Sequence, residues 1–382
     1  MKMILLILFC FLTSCAHTPR VNPQDHLLKI EDLKATSKIY TPEKAKEEIA
    51  VLLNFFKYGY SGYNFIESSK IDLAHKRLKR LPNDRNDSWQ SLCKSIAEIF
   101  NDLPDNHLQA YLDNNCLDKS LLKKRKSDIG GNIALNESNK AYVTSFKNHN
   151  GNKIGIIGIK RFPAFDDLKW DGFETDIKKL KMTSKIIIDL RGNSGGDDSR
   201  GIQLASYLKG EDIIKGHFAK DYEGTNSQNY ILILNKMIAK SNGDHNNPWQ
   251  RYIEHYQEML KNPPQEKYTS TFHESYLNTR INEASYNKPI YVLADASCGS
   301  SGESTLQALR TLKNVKVVGQ NTAGTTHFGN QGLLILPHSR MEISMSTKFI
   351  KFNDGKFIEK AGHSPDISVP DGTDALDFAL TL

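Results

Sequence analysis

The stretch Lys185-Ile186-Ile187-Ile188-Asp189-Leu190-Arg191-Gly192-Asn193-Ser194-Gly195-Gly196 decides the fold class. Its first half is a continuous apolar run that reads as a strand, its second half is a glycine loop, and a helix is expected from about Gly201 to Leu208. The order recurs downstream. Pro289-Ile290-Tyr291-Val292-Leu293-Ala294 reads as a strand, a loop of small residues follows, and Glu303–Leu312 and Val315–Val318 read as helix and strand. Upstream, Lys153–Ile159 is a short β-rich run and Phe173–Met182 is helical. Strand, loop, helix, strand at this spacing is a βαβ series, so an α/β core is expected over residues 128–382.

Residues 28–127 read as a separate helical domain. Thr41 caps a helix that starts at Pro42 with an acidic first turn, and a second helix covers Ser88 to Phe100 with Leu92, Ile96 and Ile99 on one face. The basic run Lys123–Lys126 is read as a solvated linker. Between the two βαβ units, residues 210–287 are rich in Tyr, Gln, Asn and Lys and are read as an insertion that could form a lid.

The N-terminus carries an address. Lys2 precedes an apolar run from Met3 to Leu12 that ends in Thr13-Ser14-Cys15. About ten apolar residues span about 15 Å as a helix, half of a hydrocarbon core of about 30 Å, so this is a secretory segment and not a membrane span. Leu12-Thr13-Ser14-Cys15 resembles a bacterial lipobox, which implies a signal peptide over 1–15, a lipid on Cys15 and a tether over 16–27. Ala16 after the acylated position points to the outer membrane, facing the periplasm, where the host has one.

The 382 residues are 39% hydrophobic and 25% charged, with net charge +6, the balance of a folded body. No basic stripe is interleaved with aromatics, so nucleic acid is not an expected partner. Neither Cys-x-x-Cys nor His-Glu-x-x-His occurs, so no metal or cofactor is implied. Cys10 leaves with the signal and Cys15 is acylated, which leaves Cys93, Cys116 and Cys298. Three pairings are open to these, Cys93 with Cys116 being the local one. Nothing in the sequence specifies an oligomeric state.

Two loops at strand ends bear serines. Gly192-Asn193-Ser194-Gly195-Gly196 has the Gly-x-Ser-x-Gly spacing of a nucleophile elbow. Cys298-Gly299-Ser300-Ser301-Gly302-Glu303 opens a helix, whose free N–H groups suit a developing oxyanion. The flanks separate them. Asp189-Leu190-Arg191-Gly192-Asn193-Ser194-Gly195-Gly196 resembles the Asp-Leu-Arg-x-Asn-x-Gly-Gly signature of the superfamily that contains the C-terminal processing proteases, the tricorn protease core and the interphotoreceptor retinoid-binding protein. Val317–Gly324 resembles that family's Val-Val-Gly-Glu-x-Thr-x-Gly, and Gly362–Val369 its Gly-x-x-Pro-Asp-Ile-x-Val.

The resemblance implies a crotonase- or ClpP-like core of stacked βαβ units. It implies Ser300 as nucleophile, three residues before Glu303, and the N–H groups of Gly196 and Ser301 as oxyanion donors. Asp189, Arg191 and Gly195 would support them. The processing proteases take their base from a Lys after Thr-x-Gly, where this chain has Thr325. Leu103-Pro104-Asp105-Asn106-His107-Leu108 instead resembles the Leu-x-Asp-x-His of the tricorn-like branch, which implies His107 as base and Glu359 as its orienting partner. Histidine titrates near neutrality and so can accept a serine proton at ordinary pH. Asn106 stands where the tricorn protease has Ser. His327 and His363 are the alternative bases. The residues between His107 and Lys153 are too few for the PDZ domain of the processing proteases.

The expectation is therefore an exported, lipid-anchored serine peptidase acting on polypeptides. The alternatives are a non-catalytic member binding a hydrophobic ligand or peptide, and an esterase using Ser194.

Overall fold

Thr41 accepts the Lys44 N–H at 3.3 Å and Pro42 follows it, so the first helix, α1 (Pro42–Tyr58), begins at an ordinary cap. The protein is described from a computed structural model over residues 21–83, 86–116, 129–134, 139–163, 168–241, 244, 249–264, 268–271 and 281–382. The secretory segment with Cys15, the start of the tether and the basic run at 123–126 lie outside the described residues. No helix among the described residues is long and apolar enough to cross a membrane.

After α1 come α2 (Gly62–Phe65), α3 (Ser68–Arg80) and α4 (Trp89–Asn101), then β1 (Gln109–Leu112) and β2 (Asn114–Asn115). Cys93 of α4 is disulfide-bonded to Cys116, Cα to Cα 5.6 Å, and Cys298 is a buried free thiol. The core then runs β3 (Tyr142–His149), β4 (Asn152–Ile159), α5 (Phe173–Leu180), β5 (Lys185–Asp189) and α6 (Asp198–Lys209). The stretch 210–287 supplies β6 (Ala219–Gly224), α7 (Ser227–Ser241), α8 (Gln250–Lys261) and β7 (Tyr268–Thr271). The chain ends through β8 (Ile290–Ala294), α9 (Ser301–Leu309), β9 (Val315–Gly319), β10 (Phe328–Ile335), β11 (Glu342–Phe352), β12 (Ile367–Ser368) and α10 (Ala375–Thr381).

The described strands form two sheets. One has the order β12-β9-β8-β5-β4-β3, parallel except for the β3–β4 hairpin. Ile186, Ile187 and Ile188 of β5 are all fully buried because both faces are covered, the usual state of a parallel sheet. Ile186, Ile188 and Val292 pack with Ile177 of α5, Leu204 of α6 and Leu306 of α9, while Ile187, Leu293 and Val318 pack with Ala375 and Ala379 of α10. The α/β class read from the sequence is the class observed. Asp189 of β5 lies opposite Leu293 of β8, so the loops that follow these strands emerge side by side at the carboxyl edge.

The second sheet, β2-β1-β11-β6-β7 with β10 on β11, is antiparallel. Among the described residues the helices of 28–127 are packed into the second sheet: Leu52, Phe55 and Phe56 of α1 share one cluster with Leu232 of α7, Phe328 and Leu334 of β10 and Met345 of β11. Within 210–287, α7 is a core helix, with Tyr230, Ile231, Leu232 and Leu234 buried in that same cluster.

Candidate active site

The loop after β5 is held from below by a buried ion pair. Arg191 donates from Nε and Nη2 to the two oxygens of Asp189 at 2.9 and 2.7 Å, and from Nη1 to the Ile129 carbonyl at 2.6 Å and Asp374 at 3.3 Å. Asn193 then stitches this loop to its neighbours. Its Nδ2 donates to the Ile159 carbonyl at 3.0 Å, its Oδ1 accepts the Gly195 N–H at 2.9 Å, and its carbonyl accepts the Gly299 N–H at 2.9 Å. Asp295, beyond β8, returns the tie by accepting the N–H groups of Gly192, Ser297 and Cys298.

Ser300 sits where these loops meet, at the N-terminus of α9, with φ 52° and ψ −123°. A side-chain-bearing residue there costs about 1–3 kcal/mol and persists only where its surroundings impose it. The surroundings are visible. Its N–H donates to Thr325 Oγ1 at 3.0 Å, and its carbonyl accepts Glu303 N–H at 2.8 Å, Ser304 N–H at 3.0 Å and Thr326 Oγ1 at 3.1 Å. Gly195 (φ 109°) lies against it: a Cβ there would be 2.7 Å from Ser300 Cβ and 3.0 Å from its Oγ. Gly196 (φ 136°) is pinned against Phe162, whose carbonyl a Cβ would meet at 1.8 Å. Among the described residues no acceptor takes the N–H of Gly196 or of Ser301. Two free N–H donors therefore flank a strained serine.

Ser194 is solvent-exposed and is not among the residues at positive φ, so the strained serine is Ser300. Glu303 is fully buried and gathers the returning loop: its carboxylate accepts Thr322 Oγ1, Gly324 N–H at 2.7 Å, Thr325 N–H at 2.8 Å and Thr326 Oγ1 at 2.6 Å.

The segment carrying His107 is joined to that same loop. Asn106 Nδ2 donates to the Gly324 carbonyl at 3.0 Å, one residue from the Thr325 that holds Ser300. Asn106 N–H donates to Glu359 Oε1 at 3.3 Å, and His327 N–H donates to Oε2 at 3.1 Å. Asp105 accepts the His107 N–H on Oδ1 at 2.7 Å and Ser346 Oγ on Oδ2 at 3.2 Å. That Oδ1 is 3.9 Å from His107 Nδ1, which is buried with no hydrogen-bond partner among the described residues. One ligand-type atom from each of Asp105, His107 and Glu359 lies within 4.8 Å of the others. All four carboxylate oxygens already accept a donor from the chain, which suits an orienting pair better than a cation site.

Burial first, then the charge of Asp105, pushes Glu359 up to about 9 against the two N–H donors that favour its ionised form. Burial likewise raises Asp105. Burial thus favours the protonated form of both carboxyls beside the imidazole.

The two alternative bases are both buried. His327 Nδ1 lies 2.6 Å from the Ile350 carbonyl, and its Nε2 accepts the Ile358 N–H at 2.9 Å. Both nitrogens are thus committed to backbone in one neutral tautomer. His363 is buried against Phe352, and burial pushes its pKa down to about 3. Sequence reading assigned no role to Asp105, Asn193, Glu303 or Thr325. Asp105 and Thr325 were within reach, since one belongs to the motif that selects His107 and the other occupies the place of the missing Lys.

A parallel-sheet core whose carboxyl edge presents a strained serine, two free N–H groups and a histidine–carboxylate cluster on an adjoining segment has the architecture of a serine hydrolase. Residues 153–369 match the family model described as Peptidase family S41, and the chain belongs to that family of serine peptidases. Among solved structures it resembles a candidate peptidase from Parabacteroides merdae at TM-score 0.57 and 14% identity, over 90% of this chain and 96% of that one. Mature CPAF is matched at TM-score 0.56 and 14% identity, over 89% and 96%. CPAF complexed with lactacystin is matched at 0.55 and 15%, over 88% and 95%. At these identities the likeness establishes the fold. No curated protein sequence matches the chain.

Proposed function

We propose that this S41 peptidase is an exported, lipid-anchored enzyme that cleaves peptide bonds through an acyl-enzyme on Ser300, with His107 as general base. The observation that carries this reading is Ser300 itself, held at positive φ on a helix N-terminus beside the unengaged N–H groups of Gly196 and Ser301. His107 takes the Ser300 proton as Oγ attacks the peptide carbonyl. The two N–H groups receive the oxyanion, where one such donor is worth about 2.7–4 kcal/mol in a comparable enzyme. His107 then protonates the leaving amine, and water, activated by the same imidazole, clears the ester. Asp105 accepts the backbone N–H of His107 and Glu359 that of Asn106, so the two carboxyls hold the segment that carries the ring. Anchoring rests on the sequence alone, through Cys15.

A fluorophosphonate probe is expected to label the wild type, to fail on Ser300→Ala, and to label His107→Ala at least about a hundredfold more slowly, the usual size of a general-base contribution. Labelling that survives Ser300→Ala but vanishes in Ser194→Ala would establish the esterase reading instead. A wild type that stays unlabelled while binding peptide would mark a non-catalytic member. Separately, Cys15→Ser is expected to shift the protein from the membrane to the soluble fraction and to abolish incorporation of labelled fatty acid; unchanged incorporation would refute the anchor.

A further inference from the structure

The Ser301 side chain has no part in the mechanism above, yet it is 4% exposed and hydrogen-bonded into the site. Its Oγ donates to the Gly196 carbonyl at 2.7 Å. The residue that supplies one proposed oxyanion donor therefore grips, through its side chain, the residue that supplies the other. We infer that Ser301 is a positioning residue: its hydroxyl sets the separation and direction of the two N–H groups, and the charge cluster behind it keeps the hydroxyl on Gly196. The inference rests on the Ser300 acyl-enzyme reading.

That cluster begins at Asp198, in the first turn of α6, whose carboxylate also interacts with the Ser301 hydroxyl. A hydroxyl has one proton, and here two acceptors compete for it. An uncompensated carboxylate would win, because charge-assisted bonds are roughly twice as strong as neutral ones. Asp198 is compensated. Lys215 Nζ lies 2.7 Å from Asp198 and 2.8 Å from Asp221, and Lys348 Nζ lies 3.0 Å from Asp221. Two lysines and two aspartates, with side chains 0–18% exposed, thus cancel in charge directly behind the site. The two lysines draw on the carboxylate, and the hydroxyl points its 2.7 Å bond at the Gly196 carbonyl. Without this bond Gly196 would still be gripped by Phe162, whose N–H donates to the Gly195 carbonyl at 3.0 Å and whose carbonyl accepts Asp197 N–H at 2.9 Å. Those contacts fix Gly196 to β4's extension, and among the described residues only the Ser301 hydroxyl bonds it to α9.

The test is Ser301→Ala, with Ser301→Cys as a near-isosteric second variant that keeps the volume but donates weakly. Both are compared with wild type for kcat, KM, thermal unfolding and inhibition by a peptide boronate, which places a tetrahedral anion on Ser300. Ser301→Ala is expected to lose at least about tenfold in kcat, less than the hundredfold or more of a deleted donor. Boronate affinity should fall by the same factor, while KM stays within about twofold and the unfolding temperature is little changed; Ser301→Cys should lie between. Wild-type kcat and boronate affinity in a folded variant would overturn the proposal, as would a loss confined to KM. A wild type that neither reacts with fluorophosphonate nor binds the boronate brings down the Ser300 reading too, an outcome distinct from a labelled wild type matched by its Ser301 variants.

Discussion

Glu359 is 5% exposed, beside Asp105 at 2%, and its pKa of about 9 makes a pH signature. The unfolded chain titrates this carboxyl near 4.5, so between the two values the folded state holds the extra proton. A carboxyl raised in this way contributes stability that is whole below pH 4.5 and drains away as pH climbs through about 9. Glu359→Gln is neutral at every pH, so its unfolding temperature should fall less between pH 5 and pH 9 than that of wild type. The cost is one of the two backbone N–H bonds, of Asn106 or His327, worth about 0.5–1.5 kcal/mol, so the variant should start lower at pH 5, cross wild type about one pH unit higher and be the more stable of the two at pH 9. At about 1.4 kcal/mol per pH unit over the roughly four units from pH 5 to pH 9, and about 2 °C per kcal/mol for a large domain, wild type should lose on the order of ten degrees more than the variant. Parallel melting profiles for the two proteins would show that Glu359 does not carry the proton.

At the scale of elements, legibility followed burial chemistry. β5 could be read because Ile186, Ile187 and Ile188 meet apolar neighbours on both sides, and a strand with no polar duty leaves an unbroken run. β11 went unread for the opposite reason. Its buried face includes Ser346, which bonds Ser61 and Asp105, and Lys348, which pairs with Asp221, so polar letters stand where a core strand should show apolar ones. In α7 the fully buried Asn235 accepts the Leu28 N–H at 2.7 Å and donates to the His26 carbonyl at 3.0 Å, which gave a core helix the composition of a surface insertion. The serine loops were legible as motifs, because backbone geometry at Gly195, Gly196 and Ser300 restricts the residue types allowed. The ties among them, through Asn193, Thr325 and Glu303, were not, since contacts between loops leave no spacing in the sequence.

Those buried polar ties bind the helical segment to the peptidase core as parts of one body. Ser61 meets Ser346 at 2.8 Å, Glu48 accepts the N–H groups of His338 and Ser339, and Asn106 meets Gly324, each bond crossing more than 200 residues of chain. Apolar contacts point the same way. Removing residues 1–127 would uncover Leu232, Phe328, Leu334 and Met345, all 0% exposed. Each costs about 1.5–3 kcal/mol when fully exposed, so four of them alone approach the 5–15 kcal/mol that holds a typical domain together. A chain of residues 128–382 should accordingly lack a cooperative thermal transition, bind a hydrophobic dye and lose near-ultraviolet dichroism, although it keeps Ser300, Gly196 and every family motif within 153–369. A sharp transition with native dichroism in that fragment would mean that the β10–β11 face closes without α1. The same construction makes His107 hard to separate from Ser300: its segment leaves α4 and enters β1, which pairs with β11 from Gln109 opposite Ser344 to Tyr111 opposite Glu342. The proposed base, on the N-terminal segment, and the proposed nucleophile, on the parallel sheet, keep their register only while the cluster shared by α1, α7, β10 and β11 stays closed.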